Sequence, residues 1–134
     1  MSEAAAEHDL SGQWSGFYNY PIDRPPTPFE VELRDNGGLL SGVVSEPGDT
    51  RASRGMTLHA VLEGQREGAT VRFAKHYDYL PRAHYVVDYH GQIAPGGDEI
   101  EGEWSIRGAW SGTFLMIRGS RQEDAVTRKV SEKV

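Results

Sequence analysis

The stretch Phe29–Gly42, FEVELRDNGGLLSG, contains a turn between two segments of alternating character. Apolar and charged residues alternate from Phe29 to Arg34, which is typical of a β-strand with one buried and one exposed face. Asn36-Gly37-Gly38 follows, and asparagine and glycine tolerate the positive φ angles of tight hairpin turns. The stretch therefore predicts an antiparallel hairpin with an apolar inner face.

The same pattern recurs along the chain in short runs that turn residues separate. Regularly spaced short strands with turn signals between them favour a β-sandwich or a barrel. We expect an all-β fold, an eight-stranded antiparallel up-and-down β-barrel. Its predicted strands are Gln13–Tyr20, Phe29–Asp35, Leu39–Glu46, Met56–Gln65, Thr70–Tyr77, His84–Ile93, Glu99–Ile106 and Trp110–Arg118.

The composition indicates one domain without thiol chemistry. The chain has 134 residues, near the commonest size of a domain, and no cysteine. Disulfides, thiolate zinc sites, iron–sulfur clusters and a cysteine nucleophile are therefore excluded. We expect a flexible arm over residues 1–9, the barrel over residues 10–120, and a tail over residues 121–134 that is disordered or a short helix.

The charge balance argues against nucleic-acid and membrane partners. The chain has 14 Lys and Arg against 20 Asp and Glu, a net charge of -6, so it offers no overall basic surface for phosphates. No apolar run reaches the ~20 residues that span a bilayer. Met1–Leu10 lacks the basic and apolar parts of a signal peptide. We therefore expect a cytoplasmic protein without nucleic-acid or membrane partners.

The inward face of the predicted strands has two unusual properties. It contains glycines, which permit tight coiling and leave space inside a barrel. With a tight turn over residues 107–109, Trp104 lies opposite Gly112, which makes room for the indole. The inward set also contains many aromatic residues and Lys75, although burying an unpaired ammonium is costly. We expect a small cavity beside the inward glycines, which are Gly16, Gly42, Gly91, Gly102 and Gly112.

Residues 10–18, LSGQWSGFY, resemble the opening strand of the calycins, the barrel superfamily of lipocalins, fatty-acid-binding proteins and avidins. In that superfamily a first-strand Gly-x-Trp closes one barrel end, and a basic residue of the last strand packs across the indole. The resemblance implies this closing role for Trp14 and Arg118. Residues 38–42, GLLSG, and the segments IEGEW and SGTF at 100–104 and 111–114 resemble hairpins of small bacterial avidin- or lipocalin-like barrels.

The resemblance does not extend to biotin, because Ser15 and Gly16 follow Trp14 where avidins place polar biotin contacts. Instead, the alternation itself supplies candidate ligand contacts. Lys75 would provide a cation for a carboxylate or phenolate ligand, or else extend its ammonium to the barrel rim. The tyrosines would line a pocket mouth or form an aromatic core. The candidate contacts are Tyr18, Tyr20, Phe73, Lys75, Tyr77, Tyr85, Tyr89 and Trp104.

The histidines predict no metal centre. His84 and His90 share a strand face but lie six residues apart, roughly 20 Å along a strand. A single zinc ion with nitrogen ligands at about 2 Å cannot bridge them. His59 and His76 face outward by the same alternation. The alternative is a haem on a single histidine, as in nitrobindin-like barrels, whose Gly-x-Trp-x-Gly start this chain resembles; we expect no cofactor.

The leading hypothesis is non-catalytic binding of a small hydrophobic or aromatic molecule, anionic or neutral, inside the barrel. One alternative is a cyclase- or isomerase-type enzyme that uses an inward Lys or Tyr, which a depressed pKa of Lys75 beside a cavity would favour. Another is a structural or interaction barrel with a filled core. Outward apolar residues also indicate that part of the wall packs on something, with a second subunit as the candidate partner; they are Leu39, Val43, Val61, Val86 and Leu115.

Overall fold

The computed structural model of the protein describes residues 9–48, 55–77, 86–106 and 110–119. Each strand pairs antiparallel with the next, and the last pairs with the first, so the sheet closes into a barrel in sequence order. The predicted all-β, eight-stranded up-and-down barrel is confirmed. Its strands are β1 Gly12–Tyr18, β2 Thr27–Asn36, β3 Leu39–Pro47, β4 Thr57–Glu67, β5 Thr70–Tyr77, β6 Val86–Ile93, β7 Glu99–Ile106 and β8 Trp110–Arg118.

Several predicted strand limits differ from the observed ones because pairing, and not alternation, sets the ends. Strand β2 begins at Thr27, two residues before the predicted start, since Thr27 and Pro28 pair with the last two residues of β1. Strand β1 ends at Tyr18 and not at Tyr20. The predicted start of β6 at residues 84–85, the turn at 107–109, most of the arm and the tail lie outside the described residues.

Alternation of buried and exposed positions in β2 to β7 places one apolar set inside the barrel. In β2 and β6 every second residue is buried, as the sequence pattern predicts. One contiguous core results, with Trp14, Val31, Ile100 and Met116 among its fully buried members. In the described part of the chain, no helix is long and apolar enough to cross a membrane.

Aromatic side chains fill the space beside two of the inward glycines, Gly91 and Gly112. A Cβ on Gly112 would lie 2.7 Å from the indole Nε1 of Trp104, the neighbour that the sequence predicts. A Cβ on Gly91 would lie 2.9 Å from the Cζ of Phe114, two strands away. The prediction that Gly112 makes room for the Trp104 indole is confirmed, whereas at Gly91 the Phe114 ring occupies the space in which a cavity was expected.

The two ends of the barrel differ in the length of their connections. At one end, here called the base, residues 37–38, 68–69 and 94–98 join the strands. At the other end, here called the mouth, the connections are residues 19–26, 48–56, 78–85 and 107–109. Three of the mouth connections have eight or nine residues, and long connections on a rigid scaffold are where binding residues concentrate.

Trp14 and Arg118 close the base. The guanidinium of Arg118 lies over the Trp14 ring, with 4.7 Å between its Cζ and the ring centroid. Arg118 also donates hydrogen bonds to the carbonyl oxygens of Asp9, Ser11 and Gly97. The Trp14 indole donates to the Leu10 carbonyl at 2.8 Å. The start of the described chain is thereby tied to the last strand across the bottom of the core.

A buried ion pair lies at the same end. Arg66 Nε donates to Asp35 Oδ2 at 2.7 Å, and neither side chain is appreciably exposed. Asp35 also accepts hydrogen bonds from the backbone N–H groups of Leu10 and Gly38. Burial alone would raise the pKa of Asp35, but these three donors outweigh it and lower that pKa. The carboxylate therefore joins two hairpins to the chain segment that precedes β1.

Candidate functional site

Towards the mouth, the barrel interior contains a second buried ion pair. Strand β5 turns Lys75 inward by alternation with Val71 and Phe73, and strand β3 turns Glu46 inward after Val44. The Lys75 Nζ lies 3.0 Å from Glu46 Oε1. Lys75 is 3% and Glu46 5% exposed, so both charges are removed from water. The carboxylate partner that we expected from a ligand is thus supplied by the chain itself.

Two phenols complete this ion pair. The hydroxyls of Tyr18 and Tyr77 each donate to Glu46 Oε2 at 2.8 Å. Both carboxylate oxygens therefore accept hydrogen bonds, which a buried carboxylate requires if its burial is to be tolerated. We call Tyr18, Glu46, Lys75 and Tyr77 the buried network.

Aromatic rings surround the ammonium of Lys75. Its Nζ lies 4.7 Å from the ring centroid of Tyr18, 4.8 Å from that of Tyr77 and 5.4 Å from that of Tyr89. A cation within about 6 Å of a ring face is attracted by the ring quadrupole. The arrangement is an aromatic cage with a carboxylate at one side, and Lys75 already occupies it.

Lys75, Tyr18 and Tyr77 keep their protons near neutral pH, because the pKa of each group is raised. Burial disfavours the ammonium of Lys75, but Tyr89, Glu46 and Tyr77 outweigh burial, so the pKa of Lys75 is raised. Burial and the nearby Glu46 raise the pKa of Tyr18. The pKa of Tyr77 is also raised, chiefly by burial. Lys75 therefore has the opposite shift from the depressed pKa that an enzyme with a lysine base or nucleophile needs.

Most of the predicted ligand contacts form core packing. Phe73 and Tyr89 stack on each other with their centroids 4.9 Å apart. The Trp104 indole donates to the carbonyl oxygen of Asn19 at 2.8 Å. Tyr85 lies outside the described residues. Five predicted contacts are buried, namely Tyr18, Phe73, Lys75, Tyr89 and Trp104, whereas Tyr20 and Tyr77 are half-buried.

The half-buried residues form a rim around the mouth end of the core. Tyr20 and Trp110 lie with their ring centroids 5.5 Å apart, and Trp110 meets the edge of Trp104 at 5.9 Å. The guanidinium of Arg24 lies 4.2 Å from the Tyr20 ring centroid. Tyr77 and Ile106 are the other partly buried residues that pack against the core. We call Tyr20, Tyr77 and Trp110, together with Ile106, which pairs with Trp110, the aromatic rim.

Sequence reasoning did not identify Glu46 or Trp110 as site residues. Continuing the inward alternation of β3 from Val44 by two positions would have placed a carboxylate inside the barrel. Continuing the inward alternation of β8 from Gly112 back by two positions would likewise have placed Trp110 on the inner face, opposite Ile106.

A shallow cavity of about 960 Å³, largely open to solvent, is lined by residues of β3 to β8 that include the predicted ligand contacts Phe73, Tyr89 and Trp104. Its outward-facing lining residues include Ser41, Glu63, Arg72, Asp88, His90 and Glu103. The described histidines of the strands, His59, His76 and His90, are all exposed, as alternation predicts, while His84 lies outside the described residues. Among the residues described, no group of three or more His, Asp or Glu side chains could hold a metal ion.

Comparison with known proteins supports the architecture alone. No protein-family profile and no curated protein sequence matches the chain. Among solved structures, a redesigned β-barrel matches with a TM-score of 0.64 and 12% sequence identity. The match covers 88% of this chain and 96% of the redesigned barrel. At this identity the likeness establishes the barrel fold and carries no function.

Proposed function

We propose that the barrel binds a small, uncharged aromatic or apolar molecule, without catalysis, against the aromatic rim at its mouth. The observation that carries this proposal is the half-buried state of Tyr20, Tyr77, Ile106 and Trp110 at one end of an otherwise closed core. Partly exposed aromatic residues gathered at one place are costly to leave in water, and they provide flat contact area for a ligand.

The buried network favours an uncharged ligand. Lys75 and Glu46 neutralise each other within the chain, and two phenols occupy the second carboxylate oxygen. An anionic ligand would have to displace Glu46 from Lys75, and a cationic ligand would have to displace Lys75 from the aromatic cage. Both exchanges would leave a buried charge without its partner, which is strongly unfavourable.

The calycin resemblance belongs to the same proposal. Its support is the contact between Arg118 and Trp14, which lie at the positions that the resemblance assigns to barrel closure. With the base closed by this contact and by Asp35, the mouth is the end with long connections and partly exposed rings. We assign the ligand to that end.

A matched pair of dyes tests the proposal. N-phenylnaphthylamine is neutral, and anilinonaphthalene sulfonate is the same scaffold with an anionic group. We expect fluorescence enhancement with the neutral dye and at least tenfold weaker binding of the sulfonate. Trp110→Ala and Tyr20→Ala should each weaken binding of the neutral dye, whereas His90→Ala in the outer cavity should not. The proposal would be contradicted if His90→Ala weakened binding of the neutral dye as much as Trp110→Ala does. It would also be contradicted if the sulfonate bound more tightly than the neutral dye.

A second candidate function is an interaction barrel with a filled core. It is favoured by the rings of Trp104 and Phe114, which occupy the space beside Gly112 and Gly91. Absence of binding by both dyes, together with association through the outer wall, would favour this function over ligand binding. The enzyme hypothesis receives no support from Lys75, because its pKa is raised.

A further inference from the structure

The outer face of β1 and β8 carries apolar side chains that are removed from water. Phe17, Leu115 and Ile117 point away from the core by alternation, yet they are only 4%, 5% and 6% exposed. We call these three residues the outer patch. Among the described residues, every strand belongs to the barrel and the connections join strand ends, so none of them forms a second layer over this wall. Another segment of the same chain has to supply the cover.

Carboxylates border the outer patch on both sides. Glu99 and Glu101 of β7 pair with the outer-patch residues of β8 and face outward like them. On the other side, Glu30 of β2 pairs with Ser15 of β1, which is itself 0% exposed. The covering segment should therefore combine an apolar face with cationic residues beside it.

Two segments outside the described barrel adjoin its base, and their charges differ. Residues 1–8, MSEAAAEH, have two glutamates and no Lys or Arg. Residues 120–134, SRQEDAVTRKVSEKV, have four Lys or Arg and three valines. They follow Gly119, whose backbone N–H donates to the Gln13 carbonyl of β1 and whose φ of 124° suits a change of chain direction at the end of β8. Charge and position therefore favour residues 120–134 as the cover.

The valines of this segment recur at the spacing of a helix. Val126, Val130 and Val134 lie four residues apart, so in a helix they form one apolar stripe. Lys129 and Lys133 each lie three residues after a valine, so they line one edge of that stripe. An isolated helix of this length is marginal in water, and packing of its apolar face is what stabilises it.

We propose that residues 120–134 form an amphipathic helix that packs its valine stripe on the outer patch and so reinforces the closing seam of the barrel. The β1–β8 ladder, Trp14–Tyr18 against Phe114–Arg118, is shorter than every other ladder in the sheet. A helix across both strands adds apolar contacts with each of them, and Lys129 and Lys133 lie beside the carboxylate border.

Paramagnetic NMR tests where the segment lies. Because the chain has no cysteine, Ser131→Cys provides a single attachment point for a nitroxide label. The label should broaden the methyl resonances of Leu115 and Ile117 strongly, and those of Val61 on the opposite wall much less. Equal broadening on both walls, or none at Leu115 and Ile117, would overturn the proposal.

Matched charge substitutions test the valine stripe. Val130→Asp sets a carboxylate against the outer patch, so it should abolish the localised broadening and lower the midpoint of thermal denaturation. Ala125→Asp adds the same charge about 140° away around the helix, so both readouts should stay close to those of the wild type. Equal effects of the two substitutions would overturn the proposal. Neither readout depends on the aromatic rim, so the cover and the ligand site can fail separately.

Discussion

The base and the mouth of the barrel each contain a buried ion pair, but the two carboxylates are held by different kinds of donor. At the base, Asp35 accepts hydrogen bonds from Arg66 and from the backbone N–H groups of Leu10 and Gly38. At the mouth, the donors to Glu46 are the side chains of Lys75, Tyr18 and Tyr77.

This difference separates a structural closure from a candidate site. Backbone donors are fixed by the fold, so Asp35 ties the chain start to the hairpin turn at Gly38. Side-chain donors rotate about several bonds, and half-buried Tyr77 belongs to both the buried network and the aromatic rim. A ligand at the mouth can therefore act on the buried network, whereas the base offers no comparable freedom.

The largest expected effect comes from breaking the pair at the mouth. Glu46→Ala leaves the Lys75 ammonium buried without a carboxylate and should lower the free energy of unfolding by about 3–5 kcal/mol. The double variant Glu46→Gln/Lys75→Met removes both charges and keeps an amide oxygen that can accept from the phenols of Tyr18 and Tyr77. Its free energy of unfolding should lie within about 1 kcal/mol of the wild-type value or above it. Urea denaturation measures the free energy of unfolding of both variants. A double variant that is less stable than the single one would show that Glu46 and Lys75 do not stabilise each other.

Breaking the pair at the base should cost less, because Asp35→Asn keeps a side-chain oxygen that can accept from Arg66 or from the backbone N–H groups of Leu10 and Gly38. Asp35→Asn should lower the free energy of unfolding by about 2–3 kcal/mol at neutral pH. Because the folded-state pKa of Asp35 is lowered, its stabilisation is present above the unfolded pKa of about 3.9 and is lost as pH falls through the folded pKa. Urea denaturation from pH 7 to pH 2 should show the difference between wild type and variant narrowing below about pH 4. A difference that stays constant with pH would contradict this assignment.

The smallest stability effect is expected at Arg118, which is partly exposed. Arg118→Ala removes the contact with Trp14 and the hydrogen bonds to three carbonyl oxygens. The free energy of unfolding should therefore fall by about 1–2 kcal/mol. Dye binding at the mouth should not change, since Arg118 lies at the opposite end. Thermal denaturation measures the loss of stability, and titration with the dye measures binding at the mouth. Weaker dye binding by a folded Arg118→Ala variant would contradict the separation of the base from the mouth.

Alternation along the chain was sufficient to predict the strands, the barrel and the inward position of Lys75, because side-chain period alone determines which face a residue occupies. It does not determine height along the barrel. Glu46 and Lys75 lie on β3 and β5 with β4 between them, so their contact depends on two registers. Trp104 and Gly112 were predicted together because they belong to adjacent strands. The contact of Phe114 with Gly91 was not predicted, because β7 lies between their strands.

On the outer wall, alternation predicts which side chains face outward but not which of them are exposed to solvent. Leu115 and Val43 both face outward by alternation, but Leu115 is buried with Phe17 and Ile117 in a second apolar cluster, whereas Val43 is exposed. Both were predicted to pack on a partner. The β1–β8 cluster is shielded within a single chain, so Leu115 presents no surface to a partner.

The three tryptophans provide the most direct test of ligand binding at the mouth, because they mark different heights in the barrel. Trp14 lies at the base, Trp104 inside the core, and Trp110 in the aromatic rim. Titration with N-phenylnaphthylamine, followed by the indole N–H resonances in nitrogen-15 NMR spectra, should shift Trp110 most, Trp104 less, and Trp14 not at all. A shift of Trp14 that equals that of Trp110, or no shift of Trp110 at saturating dye, would contradict a ligand site at the mouth.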